Sequence, residues 1–128
     1  MVRVFVYGTL TDPDRVESLL DRYELGSEAT LHGLRRVEGR YPTLAPGGRT
    51  EGRLLSTQEI GRLDAYEGVE SDLYVRVSIP LSEGGTAECY VGDPEPLGAD
   101  AVWPGDGPFE DRVRAYLSEE RVVIGRNE

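Results

Sequence analysis

An α+β fold wrapped around a curved or closed sheet is the architecture this sequence predicts. Three observations carry that reading. Roughly six strand-like stretches and three helical ones follow one another in mixed order, without the strict alternation of a βαβ chain. Gly, Pro and Asp cluster between those stretches and cut the chain into short segments. The 128 residues contain no internal repeat, low-complexity tract or long linker, which suits one core and one domain over residues 1–128.

Val2, Arg3, Val4, Phe5 and Val6 form the first strand-like run, and Tyr7-Gly8-Thr9-Leu10 ends it. Two readings of that ending stand side by side. One is a tight turn in which Gly8 supplies a positive φ; the other is a backbone cradle whose amides face a ligand. The following TDPDRVESLLDRYELG reads as an amphipathic helix. Thr11 or Asp12 can cap it and Pro13 suits its first turn. Val16, Leu19, Leu20 and Tyr23 then keep the i, i+3, i+4, i+7 spacing up to a stop near Gly26. Strands are expected over 29–37, 41–44 and 50–55, broken by Gly39 and by Pro46-Gly47-Gly48.

A second helix is expected to open with STQE, Ser56 to Glu59, whose spacing matches a capping box, and to stop at Gly68. LYVRVSIPL and TAECYVG then read as two strands of a hairpin joined through Glu83-Gly84-Gly85. A Pro/Gly/Asp-rich loop over 93–107 holds Trp103. The last helix begins near Pro108 and sets Phe109, Val113, Tyr116 and Leu117 on one stripe.

Charge narrows the function classes. The chain carries 24 acidic residues against 14 basic ones, for a net charge of −10, and every basic residue is an arginine. Such a surface repels a phosphate backbone, so no nucleic-acid partner is expected. An acidic, lysine-free composition resembles that of proteins from salt-accumulating organisms, which predicts a halophilic chain; a GC-rich genome favouring Arg codons would leave the same trace. No apolar run approaches the 18 or so residues a membrane helix requires, and Met1 leads straight into a strand. A cytoplasmic protein with no membrane partner is expected. Cys89 and His32 are the only residues of their kinds, which excludes an internal disulfide and a cysteine metal cluster. No cofactor and no metal are expected, and the assembly should be a monomer or weak homodimer.

Within STQEIGRLDAYEG, Ile60, Leu63, Asp64 and Glu67 fall on one helix face. Glu67 is therefore in line with the residues that anchor the helix, and at the helix C-terminus, where the macrodipole disfavours a negative charge. Partial burial would raise its pKa toward neutrality and suit it to proton transfer. A helix-end glutamate turned into water is the other reading, and the pattern leaves both open. Asp64 shares the face; a structural bond to a backbone amide, Arg62 or Arg76 is the favoured role. Tyr7, Tyr41, Tyr74 and Tyr90 sit in or beside strands and read first as packing residues. Arg40 and Arg76 can hold a carboxylate in a fork, or serve in ion pairs. Cys89 reads as a small core residue, and His32 has no Ser or Cys motif with which to form a triad.

Taken together, VFVYGTL, YPTL, GRLLS, LDAYEG, YVRVSI and CYVG, in this order over residues 2–92, resemble the γ-glutamylcyclotransferase-like family. The resemblance is to the short YGTL-type members, similar to γ-glutamylamine cyclotransferases. The resemblance implies a small mixed β-barrel flanked by short helices, with a cavity at its mouth. It implies that Tyr7, Gly8, Thr9 and Leu10 grip a γ-glutamyl group and that Glu67 is the general acid/base. It further places Tyr74 and Tyr90, with Tyr7, as candidates to line the cavity and position the glutamyl end.

The reaction so implied is intramolecular. The α-amine of a γ-glutamyl amino acid, dipeptide or amine attacks its own γ-carbonyl, giving 5-oxoproline and a free amine. Folding the substrate into that near-attack shape contributes much of the rate. The same fold could instead serve a non-catalytic protein that binds a small carboxylated metabolite, or an interaction module using its acidic surface.

Overall fold

The structure is a computed structural model of the chain and describes residues 1–126. Its elements run β1 (Val2–Val6), a 3-10 turn (Thr9–Thr11), α1 (Pro13–Leu19), β2 (Tyr23–Val37), β3 (Thr43–Thr57), α2 (Ile60–Glu67), β4 (Tyr74–Pro80), β5 (Thr86–Gly92), α3 (Pro94–Leu97), α4 (Phe109–Glu119) and β6 (Val123–Arg126). The six strands form one sheet in the order β4-β5-β1-β3-β2-β6. Only the β1–β5 pair is parallel; the other pairs are antiparallel, so the sheet is mixed. It curls far enough for its outer edges to touch. Leu81, just past β4, bridges Ile124 of β6, and the Ser82 N–H donates to the Ile124 carbonyl at 2.8 Å. The predicted α+β class with a curved sheet is the class observed, as a half-barrel with four short helices.

Several element boundaries differ from expectation, each for a physical reason. α1 stops at Leu19 instead of running toward Gly26, because Tyr23 opposite Thr57 starts the long β2–β3 ladder. Tyr23 keeps helical spacing in the sequence, but sheet pairing takes it. The segments expected at 41–44 and 50–55 belong to one fifteen-residue strand, and Pro46-Gly47-Gly48 does not break it. Leu34 faces Pro46 and His32 faces Arg49, so Gly47 and Gly48 oppose the single residue Gly33 as a bulge. Positive φ at Gly47 and Gly48 lets the strand bend there and continue. Ser56 does not cap α2. β3 runs through Thr57, and the cap position falls to Glu59, whose N–H donates to Thr57 Oγ1 at 3.0 Å. Gly68 does end the helix, with φ of 69°. The 93–107 loop contains α3, capped by the Asp93 carboxylate on the Glu95 N–H. β6 carried no prediction. The expected number of strands is met only because two expected strands merge and β6 is added.

Side-chain alternation along β1 sorts the core into two layers. Phe5 and Tyr7 point to the concave face, where Leu31, Leu44, Val77, Ile79, Cys89 and Trp103 gather and α4 covers them with Val113, Phe109 and Tyr116. Trp103 meets the Phe109 and Tyr116 rings edge-on, with centroids 6.1 and 5.4 Å away. Val4 and Val6 point the other way and pack with Val16 of α1, Leu63 of α2 and Leu97 of α3. With helices on both faces, β1 is the buried middle of the molecule, and the turn after it emerges between the layers.

Candidate functional site

That turn opens on a cavity of about 350 Å³. Its wall is assembled from short pieces of many elements. Phe5 through Gly8 and Leu10 come from the end of β1 and its turn, and Arg15 from α1. Tyr41 and Pro42 come from the β2–β3 connection, Tyr66, Glu67 and Gly68 from the end of α2, Leu73 from the residue before β4, and Tyr74 and Tyr90 from β4 and β5. Of the residues singled out in the sequence, Tyr7, Gly8, Leu10, Tyr41, Glu67, Tyr74 and Tyr90 share this wall. Thr9 lies between two of them in the 3-10 turn, and its side chain is outside the described set.

Glu67 sits there because α2 is anchored by the fully buried Leu63 one turn earlier and ended by the left-handed Gly68. Its half-buried carboxyl faces the cavity, and burial pushes its pKa from 4.5 up to about 7. No ion pair involving Glu67 occurs among the described residues. Asp64, on the same face, is committed elsewhere. It pairs with Arg76 Nε at 3.0 Å and accepts the Tyr90 hydroxyl at 2.7 Å. Arg76 also reaches Glu88 at 3.3 Å. The structural role expected for Asp64 is thus the one observed, and Arg76 is taken up as an ion-pair residue. Arg40 is exposed and is not part of the cavity wall.

The three buried tyrosines spend their hydroxyl protons inside the protein. Tyr7 donates to the Tyr90 carbonyl at 2.6 Å, Tyr74 to the Pro42 carbonyl at 2.6 Å, and Tyr90 to Asp64. Burial raises all three phenol pKa values above the ordinary value, so each stays neutral. They form walls and lend lone pairs. Cys89 behaves as expected of a core residue: it is fully buried, and burial pushes its thiol well up, away from the thiolate a nucleophile needs.

Gly8 corrects one expectation. It turns without a positive φ, and a Cβ there would lie 3.7 Å from Pro42 Cγ, ordinary contact distance. Pro42 is itself cavity wall, so a side chain at position 8 would occupy cavity space; the glycine keeps room rather than enabling a strained backbone. The Gly8 carbonyl is taken by Thr11, through both its N–H at 3.1 Å and its hydroxyl at 2.6 Å. A second glycine shapes the wall more directly. A Cβ at Gly92 would sit 2.4 Å from Leu97 Cδ1 and 2.8 Å from the Tyr74 ring, so only glycine lets that ring lie where it does.

The sequence reading missed Arg15 and Tyr66 as cavity residues. The available signal was position: Arg15 is the only basic residue between Arg3 and Arg22, in the first turns of the helix that follows the Tyr7–Leu10 turn. Among the described residues no group of three or more His, Cys, Asp or Glu could hold a metal ion. Nor is any described helix long and apolar enough to cross a membrane.

Comparison with known proteins meets the same segments. The family described as "Gamma-glutamyl cyclotransferase, AIG2-like" matches residues 4–106. The chain belongs to that family. AIG2-like protein A of Arabidopsis thaliana is 40% identical over 86 residues, which cover 61% of this chain and 50% of that protein. AIG2-like protein C of the same plant is 39% identical over 77 residues, 54% of this chain and 45% of its own length. This AIG2-like chain thus spans about half the length of the curated relatives it matches. Among solved structures, one solution structure of an Arabidopsis thaliana protein superposes with a TM-score of 0.58 at 29% identity, covering 92% of this chain and 84% of that one. A structure titled "Gamma-glutamyl cyclotransferase" superposes with a TM-score of 0.58 at 14% identity over 93% and 99% of the two chains, which shows the shared fold.

Proposed function

We propose that this AIG2-like chain is a γ-glutamyl cyclotransferase that converts a γ-glutamyl amino acid, dipeptide or amine to 5-oxoproline and a free amine. The observation that carries the reading is Glu67: a carboxyl brought near neutral pKa by burial, facing a cavity just beyond the Tyr7–Leu10 turn. A proton-transfer group works best with a pKa near the operating pH.

In the proposed reaction the α-nitrogen bonds to the γ-carbonyl carbon and the amide C–N bond breaks. Glu67 as carboxylate takes a proton from the attacking nitrogen and, as carboxylic acid, gives it to the departing one. The two protons lost by the glutamyl ammonium are the two gained by the released amine. In this reading the amides of Gly8, Thr9 and Leu10 receive the glutamyl carboxylate or the developing oxyanion. The rings of Tyr7, Tyr74 and Tyr90 restrict the bound substrate to a folded shape and exclude water.

The test is release of 5-oxoproline from a panel of γ-glutamyl compounds, comparing wild type with Glu67→Gln and Glu67→Ala. Both variants are expected to lose about 10²- to 10⁴-fold in kcat, the usual span for removing a general acid/base. Wild-type kcat/KM should rise with pH through about 7 as Glu67 ionises. Stabilisation by γ-glutamyl compounds without any product would overturn the enzyme in favour of a metabolite-binding protein.

A further inference from the structure

We propose that Arg15 selects substrates whose leaving group carries a carboxylate, so that the preferred class is γ-glutamyl amino acids and peptides rather than γ-glutamyl amines. This rests on the cyclotransferase reading and deepens it.

The cavity is graded along its depth. Tyr7, Tyr74 and Tyr90 are buried, whereas Tyr41 is 56% exposed and Tyr66 37% exposed. Arg15 is exposed as well, so it stands with Tyr41 and Tyr66 at the open end. The bond to be broken must lie within reach of Glu67, and the glutamyl part must fold back on itself in the enclosed end. The leaving group then extends toward the mouth, through which it departs, and Arg15 is what it meets there.

Among the described residues two charged side chains line the wall, Glu67 and Arg15. The other lining residues are neutral, mostly apolar or aromatic. Arg15 forms no ion pair among the described residues, although the chain has 24 carboxylates for 14 arginines. The acid three residues before it, Asp12, is spent capping α1, its Oδ1 accepting from the Asp14 N–H at 3.0 Å. The guanidinium is therefore free to take an anion in its planar fork. An amino-acid leaving group places its α-carboxylate on the carbon attached to the departing nitrogen; a simple amine places nothing there.

γ-Glutamyl-alanine and γ-glutamyl-ethylamide test this directly, since they differ only by that carboxylate. Wild type should prefer the alanine compound in kcat/KM. Arg15→Gln should lower the acid-over-amide ratio about three- to tenfold, the scale of one partly exposed charge-assisted contact. The loss should fall on KM for the acid, and Arg15→Lys should recover part of it. Ligand-induced shifts in Tm, read in parallel, report binding apart from chemistry. An unchanged ratio in Arg15→Gln overturns the assignment, as does an equal fall for both compounds, which would put Arg15 on the glutamyl carboxylate instead. Tm shifts that follow Arg15 without any 5-oxoproline would keep the assignment and remove the cyclisation. Product formed with no dependence on Arg15 would do the reverse. Absence of binding by either compound overturns both.

Discussion

Glu67 has a cost in the folded protein that is visible without substrate. Its carboxyl holds a proton more tightly when folded, at about 7, than when unfolded, at 4.5. The folded state therefore binds more protons between those values, and stability falls as pH rises from about 4.5 through about 7. Above that range the full cost is present, up to about 3 kcal/mol by proton linkage. Glu67→Gln removes the titration. Relative to wild type, the variant should gain stability progressively from pH 5 to pH 8, and by several degrees in Tm at pH 8. A wild-type-minus-variant difference that stays flat with pH would overturn the burial described for this carboxyl. The difference is the proper readout, because the remaining carboxylates are common to both proteins. Under the proposed function, the variant expected to lose activity is also expected to be the more stable one, a trade-off usual where a site holds a group in unfavourable surroundings.

At the scale of elements, the cavity depends on strands held apart and bridged at one point. β1 lies between β3 and β5 and ends at Val6. Beyond it the buried Thr43 at the start of β3 spans to the end of β5, its hydroxyl accepting from the Gly92 N–H at 2.7 Å and donating to the Gly92 carbonyl at 3.1 Å. Thr43→Val keeps the shape and leaves both Gly92 groups unpaired, which should cost about 1–3 kcal/mol. Thr43→Ser should restore most of it. Equal melting temperatures for the Val and Ser variants would show that the bridge contributes nothing. Legibility in the sequence follows the same division between local and long-range causes. β1 and the β4–β5 hairpin were readable because alternation and turn glycines are local signals. The face of α2 carrying Leu63, Asp64 and Glu67 was readable from period alone. The merging of two strands across Pro46-Gly47-Gly48 was not, since the same residues mark a loop or a bulge according to what pairs opposite. The place of Arg15 was hidden likewise: on α1 it looks like one more solvated charge, and only the packing of α1 beside the turn makes it part of a cavity.

For the molecule as a whole, the net charge of −10 sets the conditions under which any assay should be run. If the composition reflects a high-salt setting, Tm should climb by several degrees or more from low to molar KCl, as the screening length shrinks from about 10 Å at 0.1 M to about 3 Å at 1 M. A flat response would instead attribute the missing lysines to codon usage. Charge lay open in the sequence, but the last part of the sheet did not. The family match ends at residue 106, whereas α4 and β6 follow it and complete the fold. Val123 to Arg126 is a short tail segment whose strand character comes from pairing with Ala29 to His32 in β2, some ninety residues away in the chain.

The meeting of Leu81 with Ile124 is a seam, and its place relative to the cavity matters. Tyr74 at one end of β4 belongs to the cavity wall, while Leu81 lies just past the other end. A barrel with a single weak seam breathes there first, because few bonds must be surrendered to part its edges. Such opening would bare the concave layer at the far end of β4 while Tyr74 keeps its bond to Pro42. Any loosening at this seam would fall at the opposite end of β4 from the cavity wall, and should leave the geometry around Tyr74 in place.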